Sequence, residues 1–202
     1  GQKKGTILGK GAINNRMTNL LMQMLEHRGR ANPLCPGAQR ARDRGEKSDH
    51  CCPGGHRPQH LCRPFCPEYG VEEGIVFEEP TIEFSYKNDD LGDPLINSYH
   101  AKALKLATQA EIDTIVRLAF QINEALKEFF LAVGITLVDF KLEFGRLEDG
   151  TIVLADEISP DTCRLWDKET GEKLDKDRFR RDLGNVEGAY QEVMKRLTGS
   201  QP

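Results

Sequence analysis

The sequence lacks any apolar run close to the ~20 residues that a membrane-spanning helix needs, so we expect no membrane partner. Its start, G-Q-K-K-G-T, has no apolar core after the charged residues and so lacks a signal-peptide pattern, which makes the cytoplasm the expected location. The net charge is only −4, so we do not expect nucleic acid as a partner. Internal repeats and low-complexity tracts are also absent.

What is present fits a globular protein that mixes helices and strands. Apolar residues make up 38% of the 202 residues and charged residues 30%, enough for one ordinary domain or two small ones. Residues 81–87 alternate as a strand does, and a polar, turn-rich loop follows at 87–94. Three segments with apolar residues at helical spacing predict helices, at 14–28, 109–133 and 186–197. We therefore predict an α+β fold.

The stretch 135–158 predicts a β-hairpin. Asp149-Gly150 is a strong signal for a two-residue turn between strand-like runs at 139–145 and 151–158. If these two residues form the turn, Glu143 lies directly opposite Asp156, with Cβ atoms roughly 4.5–5.5 Å apart. Two carboxylates in this position repel each other unless a cation lies between them.

Period-2 alternation predicts a polar face on this hairpin. Asp139, Lys141 and Glu143 share one face with Asp156, while the other face is apolar core. The apolar face comprises Val138, Phe140, Leu142 and Phe144. Carboxylates with one lysine suit a Mg²⁺–nucleotide site, because Mg²⁺ takes one or two carboxylates together with phosphate oxygens. The alternative is a solvated sheet face with cross-strand salt bridges.

Five of the six cysteines fall between Cys35 and Cys66, together with three histidines. At face value this cluster is a candidate zinc knuckle or disulfide knot. However, residues 30–68 combine proline, glycine and arginine with no periodicity, and the Cys62-x₃-Cys66 spacing fits no standard zinc pattern well.

Several long motifs resemble the SAICAR synthetase (phosphoribosylaminoimidazole-succinocarboxamide synthase) family. The strongest are L-V-D-F-K-L-E-F-G at 137–145 and L-A-D-E-I-S-P-D-T-C-R-L-W-D at 154–167. The others are K-D-R-F-R at 176–180, G-V-E-E-G at 70–74, K-N-D-D-L-G-D-P at 87–94 and, more weakly, K-G-A-I-N-N at 10–15. The resemblance runs almost without gaps from Tyr69 to Leu197, plus roughly 1–29.

This resemblance implies an ATP-dependent ligase that joins L-aspartate to carboxyaminoimidazole ribonucleotide (CAIR), with the active site between two lobes of an ATP-grasp-like or kinase-like enzyme. It also suggests a homo-oligomer. The substrates would be ATP, CAIR and L-aspartate, with Mg²⁺ as the cofactor.

The resemblance also implies roles for individual residues. Glu143 and Asp156 would be Mg²⁺ ligands that contact ATP, and Asp93 would bind near a second metal ion. The catalytic residues would be Lys141, beside the transferring phosphoryl group, and Asp139. The substrate-binding residues would be Asp93, Lys87, Asp161 and Arg164, with Arg164 paired to the phosphate of the ribonucleotide.

The sequence departs from the family in two places. It begins after the glycine-bearing phosphate loop of the family, so we expect an incomplete first lobe at 1–68 and a C-terminal α+β lobe with the catalytic hairpin at 69–202. Residues 30–68 match nothing in the family, and we interpret them as a frameshifted coding segment that returns to frame near Glu68. Read literally, this Pro/Arg-rich segment would replace core strands and could not pair in a sheet.

Other interpretations stay open at the level of sequence. The cysteine-rich stretch could be an inserted zinc or disulfide element, or an unstructured loop with idle thiols. The whole chain could be a catalytically impaired fragment, a zinc-binding module centred on 35–66, or another kinase-like enzyme that phosphorylates a hydroxyl. The loop S-P-D-T-C-R-L-W-D disfavours the last of these, because such enzymes have no reason to share it.

Overall fold

The computed structural model describes residues 9–29, 54–58, 70 and 73–199, with backbone alone at 29, 54–58 and 89. The helices are α1 (Lys10–Gly29), α2 (Ser98–Ala103), α3 (Gln109–Ala132), α4 (Asp177–Arg180) and α5 (Val186–Gly199), with a 3₁₀ turn at Asp89–Leu91. The strands are β1 (Gly54–Pro58), β2 (Glu83–Ser85), β3 (Leu95–Ile96), β4 (Ile135–Leu142), β5 (Phe144–Arg146), β6 (Ile152–Leu154) and β7 (Cys163–Asp167). This mixture agrees with the predicted α+β class, while the two-lobed arrangement and the division at residue 68 stay predictions.

Within the described residues, the strands form a five-stranded sheet, in the order β3-β2-β1-β4-β7, and a separate β5-β6 pair. All the pairs are antiparallel. The helix α3 packs on β4 and β6, and α1 packs against α5 and α3. The core lies between these helices and the strands, with Phe130, Phe140 and Phe144 among its largest buried side chains. No helix in the described part of the chain is long and apolar enough to cross a membrane.

The three predicted helices are confirmed. The helix α3 begins with a capping box, in which the Thr108 side chain accepts from the Glu111 backbone N–H and the Glu111 side chain accepts from the Thr108 N–H. It ends before Gly134, whose φ of +73° is the left-handed conformation that favours glycine after a helix. Within α3, Phe130 is fully buried, whereas its neighbour Phe129 is only partly buried.

A strand lies where the sequence suggested only a loop. Residues 163–167 form β7, which pairs with β4 along the edge of the main sheet. Cys163 and Leu165 are buried, while Arg164 between them is only partly buried. This is the alternation of a half-buried strand. The two charged residues in C-R-L-W-D, together with the turn residues S-P-D-T before it, concealed that pattern in the sequence.

The segment Gly54–Pro58 forms the strand β1, so the expectation that residues 30–68 could not pair in a sheet is wrong for this part. The backbone of β1 pairs with β2 on one side and with β4 on the other. Pairing uses only backbone groups, and the proline is the last residue of the strand, so the ladder lacks at most one N–H donor. The rest of the stretch, 30–53 and 59–68, lies outside the described residues, as do all five of its cysteines.

The strand β4 contains a β-bulge that changes which side chains face the core. Its pairing with β7 shifts by one residue between Leu137 and Asp139. Ile135 and Leu137 are buried before the bulge, and Val138, Phe140 and Leu142 are buried after it. The extra residue changes the phase of the alternation, so Asp139 and Lys141 lie on the less buried face, as predicted.

The turn of the hairpin has three residues rather than two. The N–H of Leu147 donates to the carbonyl of Thr151 (3.0 Å) and the N–H of Gly150 donates to that of Leu147 (2.9 Å). Gly150 has a φ of +84°, the left-handed position of a three-residue hairpin loop. Phe144 therefore pairs with Leu154, and Glu143 lies opposite Ala155 instead of Asp156. The predicted register was wrong by one residue.

This turn yields a test of the fold. Replacing Gly150 with alanine should lower the free energy of unfolding by about 1 kcal/mol, because a Cβ disfavours the left-handed conformation. The control is Gly11→Ala on the exposed start of α1, where a Cβ meets nothing within 4 Å. The control should leave stability unchanged or raise it by up to about 1 kcal/mol. Denaturant melts of both variants measure the two effects, and equal stability of the two proteins would contradict the left-handed turn.

Candidate functional site

The centre of the candidate site is a buried carboxylate between two lysines. Glu143 Oε1 lies 2.6 Å from Lys141 Nζ and 3.1 Å from Lys87 Nζ. Burial raises the pKa of Glu143, but hydrogen bonds from Lys141 and Lys87 outweigh it and hold the pKa below its ordinary value. The carboxylate is therefore ionised, and a positively charged lysine lies on either side of it.

Three parts of the chain bring this Lys–Glu–Lys cluster together. Lys141 stands near the end of β4, and its N–H donates to the carbonyl of Thr162 (2.8 Å), just before β7. Glu143 occupies the single residue between β4 and β5, where the chain passes from the main sheet to the small one. Lys87 comes from the loop after β2 and is the most exposed of the three, with 41% of its side chain accessible. The sequence placed Lys87 and Glu143 in one site through the resemblance alone.

The loop that carries Lys87 is closed by its own hydrogen bonds. The N–H of Asn88 donates to Asp93 Oδ1 (2.8 Å), and the N–H of Asp93 donates to the carbonyl of Asn88 (3.1 Å). Asp93 adopts a φ of +51°, which is uncommon outside glycine and is most accessible to Asn and Asp. The structure thus uses one oxygen of Asp93 to hold the loop.

The predicted metal set of Glu143, Asp156 and Asp93 is not assembled as a cage. Among the described residues, no group of three or more His, Cys, Asp or Glu side chains is arranged to hold a metal ion. Asp156 lies in the bend after β6, one residue beyond the position that faces Glu143. Glu143 still suits Mg²⁺ as a ligand, because it offers ionised carboxylate oxygen and Mg²⁺ needs only one or two carboxylates besides phosphate and water.

A second charged cluster surrounds Arg164. Its Nη1 lies 2.6 Å from Asp139 Oδ2 on β4, and its Nε lies 3.3 Å from Asp177 Oδ2 on α4. The first contact follows from the sheet register, which places Asp139 and Arg164 directly opposite each other after the bulge. Arg180 also binds Asp177, at 2.9 Å. A phosphate at Arg164, as predicted, would have to share the guanidinium with these carboxylates.

Two buried carboxyls beside Arg164 have raised pKa values. Burial raises the pKa of Asp139 to about 6, although Arg164 opposes the shift. Burial also raises the pKa of Asp175 to about 6, against the backbone N–H groups of Asp177 and Leu165 that donate to it (both 2.7 Å). Asp175 and Asp177 were not singled out in the sequence. Asp177 had a signal in the motif K-D-R-F-R at 176–180, whereas Asp175 lies just outside that motif.

A third cluster surrounds Asp161, at the start of the loop that leads into β7. Its carboxylate contacts Lys10 Nζ (2.7 Å), Asn14 Nδ2 (3.0 Å) and the hydroxyl of Tyr190 (2.7 Å). Burial raises the pKa of Asp161, but Lys10 and Tyr190 outweigh it and hold the pKa below its ordinary value. Tyr190 lies in the predicted helix at 186–197, and nothing in the sequence indicated this contact. Lys10 and Asn14 had a signal in K-G-A-I-N-N, since residues four apart share a helix face.

Glu157 lies near the cluster around Asp161, at the end of the hairpin. Burial raises its pKa, a hydrogen bond from Ser159 lowers it, and the charges of Asp161 and Asp156 raise it further. These three acidic residues therefore interact electrostatically at the end of the hairpin. Six of the eight predicted site residues therefore fall into three clusters, around Glu143, Arg164 and Asp161, rather than on one hairpin face. Asp93 and Asp156 belong to none of these clusters.

The raised pKa of Asp139 predicts a specific pH dependence of stability. Its pKa of about 6 exceeds the ordinary value of 3.8, so the folded chain keeps this proton to a higher pH than the unfolded chain. The resulting stability is present below about pH 4 and lost as the pH rises through about 6. Asp139→Asn has no carboxyl to titrate at this position. Its free energy of unfolding, relative to that of the parent, should therefore rise by roughly 1–3 kcal/mol between about pH 4 and pH 6.

Urea melts between pH 4 and pH 7 measure this difference. The matched control is Asp113→Asn, an equal change of charge on the exposed face of α3. Its curve should run parallel to that of the parent protein. A parallel curve for Asp139→Asn as well would show that Asp139 does not hold a proton in the folded state.

Comparisons with known proteins agree with the motifs. The model of the SAICAR synthetase family matches residues 54–197. A phosphoribosylaminoimidazole-succinocarboxamide synthase from Lachnoclostridium phytofermentans is 54% identical over 198 residues, which cover 98% of this chain and 83% of the relative. One from Caldanaerobacter subterraneus is 50% identical, with 98% and 83% covered. The match from residue 54 onwards begins inside the stretch that the motifs alone had left without a counterpart.

Solved structures agree as well. A SAICAR synthetase (Type-2) in complex with ADP has a TM-score of 0.86 at 38% identity, with 100% of this chain and 86% of that chain covered. A SAICAR synthetase from Pyrococcus horikoshii has a TM-score of 0.84 at 38% identity, with 100% and 88% covered. The family match, the similar relatives and the shared fold together show that the chain belongs to the SAICAR synthetase family, whose members are ligases of purine biosynthesis.

Proposed function

We propose that this chain joins L-aspartate to the carboxyl group of CAIR at the expense of ATP. The Lys–Glu–Lys cluster around Glu143 is the observation that carries the proposal. A buried, ionised carboxylate flanked by two ammonium groups is costly unless its charges serve to bind a ligand or one another. The ADP complex of a similar SAICAR synthetase supports a nucleotide as that ligand.

The reaction has two steps. The γ-phosphoryl group of ATP moves to a carboxylate oxygen of CAIR, which gives an acyl phosphate and ADP. The amine of L-aspartate then attacks the carbonyl carbon, phosphate leaves, and the amine loses a proton as the amide forms. The first step depends on positioning and on neutralising negative charge, because the reacting groups are all anionic.

The described residues are suited to the first step. Lys141 and Lys87 place two positive charges beside Glu143, and their long side chains can move from the carboxylate to a phosphate without leaving the cluster. Glu143 and Asp156 would hold Mg²⁺, which supplies charge neutralisation between phosphate oxygens when bound. One oxygen of Asp93 already accepts a hydrogen bond from the N–H of Asn88 in its own loop. We therefore assign Asp93 to substrate contacts in preference to a metal ion.

The cluster around Arg164 would receive the phosphate of the ribonucleotide. Its guanidinium suits a phosphate because of its planar, paired donors. Asp139 and Asp177 hold this side chain from two sides and so fix its direction before any ligand arrives. In this assignment Asp139 contributes to catalysis by orienting Arg164 for substrate binding.

The central prediction concerns Glu143. In Glu143→Gln, ADP release that depends on CAIR, L-aspartate and Mg²⁺ should fall by about 100-fold or more, because the variant loses the charge that organises both lysines. A coupled assay of ADP release measures the rate. The control is Glu148→Gln in the exposed turn of the same hairpin, which should keep the parental rate. Parental turnover in Glu143→Gln, with the thermal transition intact, would contradict the proposed site.

The same assay on the parent chain tests the alternative of a catalytically impaired fragment. A parent protein that folds but releases no ADP under these conditions would support the impaired fragment and reject the ligase activity. ADP release without L-aspartate would instead indicate phosphorylation alone.

A further inference from the structure

The carboxylate of Asp161 is almost saturated with hydrogen bonds. Its Oδ2 receives Lys10 Nζ and Asn14 Nδ2, and its Oδ1 receives the hydroxyl of Tyr190. An ionised carboxylate has about four acceptor positions. The described residues fill three of them, and the one that they leave is on Oδ1, the oxygen that Tyr190 contacts.

The remaining acceptor position has limited access to solvent, because the Asp161 side chain is only 13% exposed. Asp161 can therefore accept one further hydrogen bond. Lys10 already pairs with its charge, so this position does not require a second cation and can accept a neutral donor such as a hydroxyl.

The hydroxyl of Tyr190 stays protonated and therefore remains a hydrogen-bond donor. Its side chain is fully buried, and burial together with the hydrogen bond to Asp161 raises its pKa far above the ordinary value. The hydroxyl therefore keeps its proton at every physiological pH. Its hydrogen bond to Oδ1 fixes the orientation of that oxygen of Asp161.

Asn14 is oriented toward Asp161 at a cost to stability. Its Nδ2 donates to Oδ2, but its own Oδ1 is buried and has no hydrogen-bond partner among the described residues. A buried polar atom left unpaired costs roughly 1–3 kcal/mol. A residue selected for stability alone would satisfy both ends of the amide or carry no amide, so the orientation of Asp161 is the feature that Asn14 serves.

We propose that Tyr190 and Asn14 are positioning residues that fix the carboxylate of Asp161, so that its one remaining acceptor position on Oδ1 receives a single ribose hydroxyl of the ribonucleotide substrate. This inference rests on the proposed function, because it takes the ribonucleotide as the ligand. It goes beyond that function in assigning two buried residues, from α5 and α1, to substrate selection. It also limits Asp161 to one hydroxyl.

The test is direct binding of CAIR, measured by calorimetry, and the KM for CAIR measured in the coupled assay. Tyr190→Phe keeps the ring and removes only the hydroxyl. It should weaken CAIR binding and raise its KM about tenfold, while kcat stays near the parental value, because the lost hydrogen bond involves a charged group. Asn14→Leu should act in the same direction, and it provides a second variant in case Tyr190→Phe does not fold.

The matched control is Thr18→Val. Thr18 Oγ1 donates to the carbonyl of Ile158 (3.2 Å), so this variant also loses one buried hydrogen bond from α1 to the segment around Asp161. It should lose stability to a similar degree as Tyr190→Phe and bind CAIR as the parent does. Equal binding by Tyr190→Phe and Thr18→Val would show that Tyr190 only stabilises the fold, and would overturn the inference.

Analogues of the ligand sharpen the test. One of the 2′-deoxy and 3′-deoxy forms of CAIR should bind the parent about tenfold more weakly, and Tyr190→Phe should discriminate less between it and CAIR. Equal losses for both analogues, or undiminished discrimination in the variant, would contradict a single oriented hydroxyl. A parent that binds CAIR without turnover would reject the ligase activity while leaving the inference standing, and a parent that does not bind CAIR would reject both.

Discussion

The hydrogen-bond ladders on both sides of β4 are the constraint on which the rest of the structure depends. This strand pairs with β1 along one edge and with β7 along the other. It carries Asp139 and Lys141 and leads directly into Glu143. The partner strand β7 carries Arg164, and the loop before β7 carries Asp161. Any displacement of β4 would therefore move all three charged clusters together, although their members are distant in the sequence.

A second constraint is that charge buried near these strands must be paired. Glu143 is balanced by two lysines, Asp161 by one lysine and two neutral donors, and Asp139 by Arg164. The pKa values follow from how complete each balance is. Where hydrogen bonds and nearby positive charges outweigh the cost of burial, as at Glu143 and Asp161, the pKa of the carboxyl lies below its ordinary value. Where burial dominates, as at Asp139 and Asp175, it holds its proton to about pH 6.

The sequence predicted the local features of this fold better than the long-range ones. The helices followed from apolar spacing, and the outward direction of Asp139 and Lys141 followed from alternation. The register of the hairpin did not, because Asp149-Gly150 is compatible with turns of two or three residues and one residue decides which side chains face each other. The strand β7 was missed because it is short and continues directly from the turn residues S-P-D-T, so the whole stretch was interpreted as a loop.

The site itself was only partly accessible from the sequence. Motif resemblance selected Glu143, Lys141 and Lys87, which the structure brings together. It could not show that Asp161 is held by Lys10, Asn14 and Tyr190, because these contacts join α1 and α5 to a loop far along the chain. Such pairings depend on how the helices pack, which no local pattern encodes. Roles for Asp93 and Asp156 stay predictions, since neither residue joins Glu143 in a common cluster of carboxylates.

The bulge between Leu137 and Asp139 has a consequence for how this strand tolerates a change of length. Before the bulge, odd-numbered positions of β4 face the core, and after it the even-numbered ones do. Deleting Val138 would remove the bulge and leave one regular alternation, with Asp139 still opposite Arg164 and both Asp139 and Lys141 on the less buried face. A deletion between Asp139 and Leu142 would instead move every side chain on one side of it to the opposite face of the sheet. The bulge is therefore the part of β4 that can lose a residue while the charged clusters keep their places.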